Sequence, residues 1–324
     1  MGMTMKGKYH VVVQNRRLHY DFTVRRNLTV IRGDSATGKT TLINMLSTYA
    51  NMGENSGIEV ICEKPCVVLN GFMWELFIEN THDSIIFLDE DFEFIKTIAF
   101  AEKVKASDNY FVIVTREDLF NLPYSVEEVY GIHTSGKYHD MKRTYQEFYQ
   151  IYSIGELREP IKPEEVLVED SNSGFEFFEN VCETAGISCR SAAGKSNIRK
   201  CLDKSEKENV LVVADGAAFG PEMNRIDQYM KMHPAVKCYL PESFEWLILK
   251  AGIVDQKRIR EILQQPEEYI ESRDFFSWER FFTNLLIQST KDTWMQYKKN
   301  QLNPAYLSEK MKNAILKVME MIVF

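Results

Sequence analysis

The run Gly33-Asp34-Ser35-Ala36-Thr37-Gly38-Lys39-Thr40-Thr41 constrains this chain more than any other feature. It follows the apolar segment NLTVIRG and precedes a stretch that places Leu42, Met45 and Leu46 on one side of a helix. The pattern is G-x-x-x-x-G-K-[ST] between a strand and a helix, the setting in which a glycine loop wraps a phosphate chain. Gly33 and Gly38 let the loop curl, so that backbone N–H groups from Gly33 to Thr41 aim at the phosphates. Lys39 then offers a point charge to the β and γ phosphates, and Thr40 is a ligand for Mg²⁺. The expected ligands are ATP and Mg²⁺.

Short apolar strands and helical stretches alternate on both sides of this loop. YHVVVQN, LHYDFTV and NLTVIRG predict three strands, and Lys39 to Tyr49 a helix. GIEVIC, CVVLN and SIIFLD predict further strands, Phe92 to Lys105 a long helix, and YFVIVT another strand. Such alternation implies an α/β fold with a mainly parallel sheet. The polar, proline-bearing SIGELREPIKPEE then reads as a connection, after which EVLVED, ISCR, NVLVVAD and VKCYL alternate with helices at Gly174 to Ala185, Ser196 to Lys204 and Glu222 to Met232. From Glu242 onward only helical patterns remain. The expected layout is a phosphate-loop domain over 1–150, a linker over 151–165, a smaller α/β domain over 166–250 and a helical region over 251–324.

Composition agrees with this layout. The 324 residues are 44% hydrophobic and 27% charged, enough apolar mass for two cores. A net charge of −8 excludes a surface that binds polyanions as a whole. No apolar run approaches the roughly 18 residues of a membrane span, and Met1 to Lys8 lacks the apolar segment of a signal peptide, so a cytoplasmic protein without membrane contact is expected. Six scattered cysteines suit reduced thiols. Cys62 and Cys66 in CEKPC have no second Cys or His pair at zinc-site spacing.

A partner for the phosphate loop follows in SIIFLDE, a buried-strand pattern ending in Asp89 and Glu90. Asp89 is placed to hold the Mg²⁺ shell, and Glu90 to orient or deprotonate the attacking water. The strand Tyr110 to Val114 delivers Thr115 and Arg116 to the same carboxyl edge, where they serve either as γ-phosphate sensors or as a helix cap and a surface base. The strands before the loop, the run NLTVIRGDSATGKTTL and the acids of FLDED resemble the ATPase heads of the ABC and SMC superfamily over about residues 8–135. That resemblance implies ATP hydrolysis. The chain departs from it in lacking an LSGGQ-like signature and a glutamine loop between Leu46 and Ser84.

In the second α/β segment, acids fall at strand ends. Glu169 and Asp170 close EVLVED, Asp215 closes NVLVVAD, and Ala193-Gly194-Lys195-Ser196 opens a helix between them. In a parallel sheet these acids can converge on one Mg²⁺ or Mn²⁺, with Lys195 neutralising a phosphate. VLVEDSNS, AAGKSN and VLVVADGAAFG resemble a Toprim domain over about residues 165–250, and the order of the two domains resembles a reduced member of the overcoming-lysogenization-defect family of ATPase–nucleases. The resemblance implies Glu169, Lys195 and Asp215 as catalytic residues, Glu169 and Asp215 as metal ligands, DNA or RNA as partner, and a role in phage defence or a mobile element. Two acids of the Toprim pattern are missing, with Ala217 at one place and Ser173 at the other, unless Asp170 substitutes for the latter. Glu242 and Glu245 are either further ligands or acids complementing a helix start.

Three functions remain open on this reading. One is an ATPase coupled to a metal-dependent effector on nucleic acid. Another is a nucleotide-gated module that binds a protein partner or a second copy and cuts nothing. A small-molecule kinase accounts for the first domain alone. The aromatic and basic residues Trp294, Tyr297, Lys298, Lys299 and Tyr306 fit domain packing first, and nucleic-acid contact second.

Overall fold

The computed structural model describes residues 5–33, 38–90, 92–135, 143–152 and 159–324. It is an α/β protein that divides into two compact units, Met1–Tyr152 with Gln265–Phe276, and Ser153–Gln264 with Ser277–Phe324.

The first unit begins with a hairpin of β1 (Tyr9–Gln14) and β2 (Leu18–Val24), whose turn is closed by the Asn15 side-chain Oδ1 accepting from the N–H groups of Arg17 and Leu18, each at 2.8 Å. Tyr20, Phe22 and Val24 point inward on alternate positions. There follow β3 (Leu28–Ile31), α1 (Lys39–Met52), β4 (Glu59–Ile61), β5 (Cys66–Val68), α2 (Trp74–Asn80), β6 (Ile85–Leu88), α3 (Ile98–Ala106), β7 (Tyr110–Val114), β8 (Val129–Thr134) and β9 (Thr144–Gln150). The nine strands form one sheet in the order β4-β1-β2-β9-β8-β3-β7-β6-β5. From β8 to β5 the strands are parallel, and β3, β6 and β7 are buried along their whole length, as central parallel strands must be. The other half is mixed: β1 runs antiparallel to β2 and β4, and β8 to β9.

Laid flat, nine strands would span about 38 Å from edge to edge. The two edge strands β4 and β5 are nevertheless joined by only Cys62–Pro65, a link that reaches about 18 Å at most. The sheet therefore curls, and α1 packs against β1, β4 and β5 over a shared core with Leu42, Ile43, Met45 and Leu46.

Four elements differ from the sequence expectation. The helix expected over 92–105 is broken: Glu93–Lys96 is a 3₁₀ turn, and α3 starts afresh because the Thr97 side chain caps it, accepting from the Phe100 N–H at 3.2 Å. Helix α2 and strands β8 and β9 have no counterpart in the expectation. The two strands are partly exposed on both faces, so their hydrophobic alternation is weak. Gly131 in β8 lies opposite Tyr149, whose ring would stand 2.4 Å from any Cβ added there.

The second unit holds a parallel sheet in the order β11-β10-β12-β13, built from β10 (Glu165–Val168), β11 (Ser188–Ser191), β12 (Val210–Val213) and β13 (Lys237–Tyr239). Between and after them lie α4 (Ser173–Ala185), α5 (Ile198–Leu202), α6 (Gly220–Met232), α7 (Phe244–Lys250), α8 (Lys257–Gln264), α9 (Trp278–Thr290) and α10 (Glu309–Val318). Central β10 and β12 are buried throughout. The helical end does not stand apart as a region of its own: α9 and α10 pack on α7, while Gln265–Phe276 belong to the first unit. Among the described residues no helix is long and apolar enough to cross a membrane.

Candidate functional site

In the first unit, three parallel strands bring the chemistry-bearing residues to one carboxyl edge. Ile31 at the end of β3 is in register with Val114 of β7, and Leu88 of β6 with Ile113. The next residues along each strand are Arg32 and Gly33, Thr115 and Arg116, and Asp89 and Glu90, so all emerge together. Asp34, Ser35, Ala36 and Thr37 lie outside the described residues. Gly33 and Gly38 have φ of 139° and 92°, in the region that favours glycine. A Cβ on Gly38 would also meet the Tyr20 hydroxyl at 2.9 Å, and that hydroxyl donates to the Gly38 carbonyl at 2.9 Å. The loop's far end is thereby pinned to β2. Burial pushes the Tyr20 phenol up to about 12, so it stays a donor.

Lys39 is buried and donates to the Gly33 carbonyl at 2.6 Å, folding its ammonium back across the mouth of the loop. Thr40 and Thr41 are exposed on the first turn of α1. Asp89 accepts the Glu90 N–H at 2.8 Å. Glu90 Oε1 is held by Arg116 at 3.0 Å, and its Oε2 is buried with no hydrogen-bond partner among the described residues. This oxygen is a buried acceptor beside the glycine loop. Thr115 Oγ1 accepts the Glu117 N–H at 3.0 Å and so closes the turn after β7, but no helix starts there for it to cap. Arg32, which the sequence does not single out, is buried; its guanidinium meets Asp118 at 2.5 Å and the Glu117 carbonyl at 2.6 Å. It ties the end of β3 to the loop after β7.

In the second unit the structure brings together Glu169, Lys195 and Asp215. Glu169 Oε2 accepts the Asp215 N–H at 3.0 Å, and Lys195 is close enough to stabilise the Glu169 charge while donating to the Ala218 carbonyl at 2.6 Å. Gly216 follows Asp215 where a Cβ would stand 2.5 Å from the Leu240 carbonyl, so the turn is pressed against the end of β13. Burial raises the Glu169 carboxyl to about 7 and holds Asp215 well above the usual carboxylate range, with Glu279 adding to the rise at Asp215.

Other members of this cluster come from residues distant in sequence. Glu245, in the first turn of α7, is 1% exposed; it accepts from the Tyr297 hydroxyl at 2.8 Å and leaves Oε2 without a hydrogen-bond partner among the described residues. Tyr297 in turn hydrogen-bonds Ser173, the residue at one of the missing acid positions. The Lys299 ammonium lies 3.0 Å from Glu279, 3.5 Å from Glu245 and 4.0 Å from Asp215. Glu245 is thus turned inward rather than serving only the dipole of its helix, and Lys299 and Tyr297 do more than pack a helical end. No local signal marks them, because each acts through a partner on another element.

This donor set does not fit a divalent ion. Asp215 Oδ1 accepts the Phe244 N–H at 3.2 Å, Glu169 Oε2 is taken by a backbone donor, and an ammonium already stands among the remaining carboxylates. Among the described residues no group of three or more His, Cys, Asp or Glu is arranged to hold a metal. Ala217, at the other missing acid position, is buried with its N–H directed to the Glu242 carbonyl at 3.3 Å. Compared with known proteins, the chain matches no protein-family model and no curated protein sequence.

Proposed function

We propose that the first unit binds and hydrolyses ATP, and that the second is a Toprim-like module whose acids are neutralised internally, so that nucleotide state gates an interaction rather than a cut. The reading of the first unit rests on the in-register carboxyl edge that gathers Gly33, Lys39, Asp89 and Glu90. Lys39 would contact phosphate in the ground state, and the free oxygen of Glu90 would take the proton of the attacking water. Thr40 and Asp89 would hold Mg²⁺, which when bound neutralises charge on the phosphate oxygens.

The reading of the second unit rests on Lys299 among Asp215, Glu245 and Glu279. The occupant of the gated surface would be a protein partner, a second copy, or DNA or RNA. Metal-dependent cleavage of nucleic acid is the rival, favoured by the retained trio Glu169, Lys195 and Asp215. Turnover of ATP by the full chain tests the first part: hydrolysis lost in Lys39→Ala supports it, and a wild-type chain that neither binds nor hydrolyses ATP overturns it. Incubation with DNA and RNA in Mn²⁺ tests the second: cleavage abolished by Asp215→Ala would restore the nuclease.

A further inference from the structure

Outside both sites, two thiols meet where the curled sheet closes. Cys62 follows β4 and Cys66 begins β5, the two edges of the nine-stranded sheet. The four residues between the edges are anchored. Lys64 forms an ion pair with Asp83, and the Pro65 carbonyl accepts the Ile85 N–H at 2.8 Å. Both sulfurs face the backbone of the same residue, Lys64. The Lys64 N–H donates to Cys62 Sγ at 3.5 Å, and Cys66 Sγ donates to the Lys64 carbonyl at 3.8 Å. The two thiols lie close enough to perturb each other, and each side chain is half-buried.

We propose that Cys62 and Cys66 form a redox-active dithiol, a site that exchanges with low-molecular-weight disulfides of the glutathione class and closes a disulfide across the seam of the first sheet. The neighbouring Cys66 thiol, with the hydrogen bond from the Lys64 N–H, lowers the Cys62 thiol to about 7, while Cys66 is raised. The asymmetry assigns the roles, because the thiolate is the attacking form. Cys62 thiolate, its proton released to solvent, attacks one sulfur of the disulfide; the S–S bond breaks, and one glutathione leaves as thiolate and takes up a proton. Cys66 then loses its proton to solvent and attacks Cys62 Sγ, expelling the second glutathione, which is protonated likewise. Two protein thiols are oxidised and one glutathione disulfide is reduced to two thiols.

A second thiol pair provides the contrast. Cys182 and Cys189 also lie close to each other, but Cys182 is fully buried on α4 and closed to a bulky disulfide. Reversible thiol pairs of this kind are what a reducing compartment permits. The consequence is mechanical: α1, which begins at Lys39, packs against both edges that the bond would fasten.

The test uses the full chain with excess glutathione disulfide at neutral pH, acid quench, alkylation of remaining thiols and mass analysis of the peptide that contains both cysteines. Expected in the wild type is loss of both thiols from that peptide, with the mass of an internal disulfide. Cys66→Ser should trap one glutathione on Cys62, and Cys62→Ser should leave Cys66 free. Protection of Cys182 from alkylation reports folding in each variant. Wild-type protein that keeps both thiols alkylatable would overturn the proposal, as would a folded Cys66→Ser chain without glutathione on Cys62.

Discussion

Lys299 places its ammonium 3.5 Å from the carboxylate of Glu245, a side chain that is 1% exposed and would otherwise be a charge enclosed in protein. The same ammonium reaches Glu279 and Asp215, so one cation serves three acids. Burial alone would depress a lysine, yet these acids outweigh it and hold Lys299 above its ordinary range.

Removing that cation should loosen the second unit. Lys299→Met is expected to lower its stability by about 1–3 kcal/mol, less than for a fully enclosed pair because the lysine is partly exposed. Lys299→Arg keeps the charge and should recover most of the loss. Urea denaturation of the full chain, with hydrogen exchange of the α7 amides to assign the transition, measures both.

Stability of the second unit should fall as pH rises from about 4.5 to about 7, because burial lifts Glu169 to about 7 in the folded chain. The folded state then binds the proton more tightly than the unfolded state, so the contribution is complete below the unfolded value and lost as pH passes the folded one. Glu169→Gln cannot ionise and still offers an oxygen to the Asp215 N–H; its denaturation midpoint should vary less with pH across that window.

On the proposed reading of the glycine loop, two substitutions should separate. Lys39→Ala is expected to abolish ATP binding in calorimetry. Glu90→Gln should bind ATP as the wild type does and hydrolyse it about 10²–10⁴-fold more slowly, the range for loss of a general base. A Glu90→Gln chain with the wild-type rate would remove Glu90 from the reaction.

Gly38→Ala should weaken both folding and nucleotide binding. At φ 92° alanine is strained, and its Cβ meets the Tyr20 hydroxyl at 2.9 Å. The expected cost is about 1–3 kcal/mol in thermal unfolding of the first unit. Tyr20→Phe in the same chain removes the hydroxyl contact and should recover part of the loss, with the backbone strain remaining.

Much of the strand and helix order was legible before any coordinates, because burial periods of two and 3.6 residues are local. The mostly apolar runs of β3, β6, β7, β10 and β12 announce buried parallel strands, and acids at the ends of β6, β10 and β12 announce a carboxyl edge. Strands β8 and β9 escaped notice because both of their faces are partly wet, and the helix over 92–105 was divided by a single capping threonine.

By itself, the sequence determined the α/β class, the glycine loop ahead of Lys39, and the placing of Asp89, Glu90, Glu169 and Asp215 at strand ends, since each needs only neighbours within a few residues. Tertiary structure alone decided that the nine-stranded sheet curls until its edge strands β4 and β5 are spanned by Cys62–Pro65, and that Lys299, Tyr297 and Glu279 enter the cluster around Asp215 and Glu245. Those partners lie on different elements, and a side chain's charge environment depends on which elements the topology brings within a few ångströms of it, information that no local pattern carries.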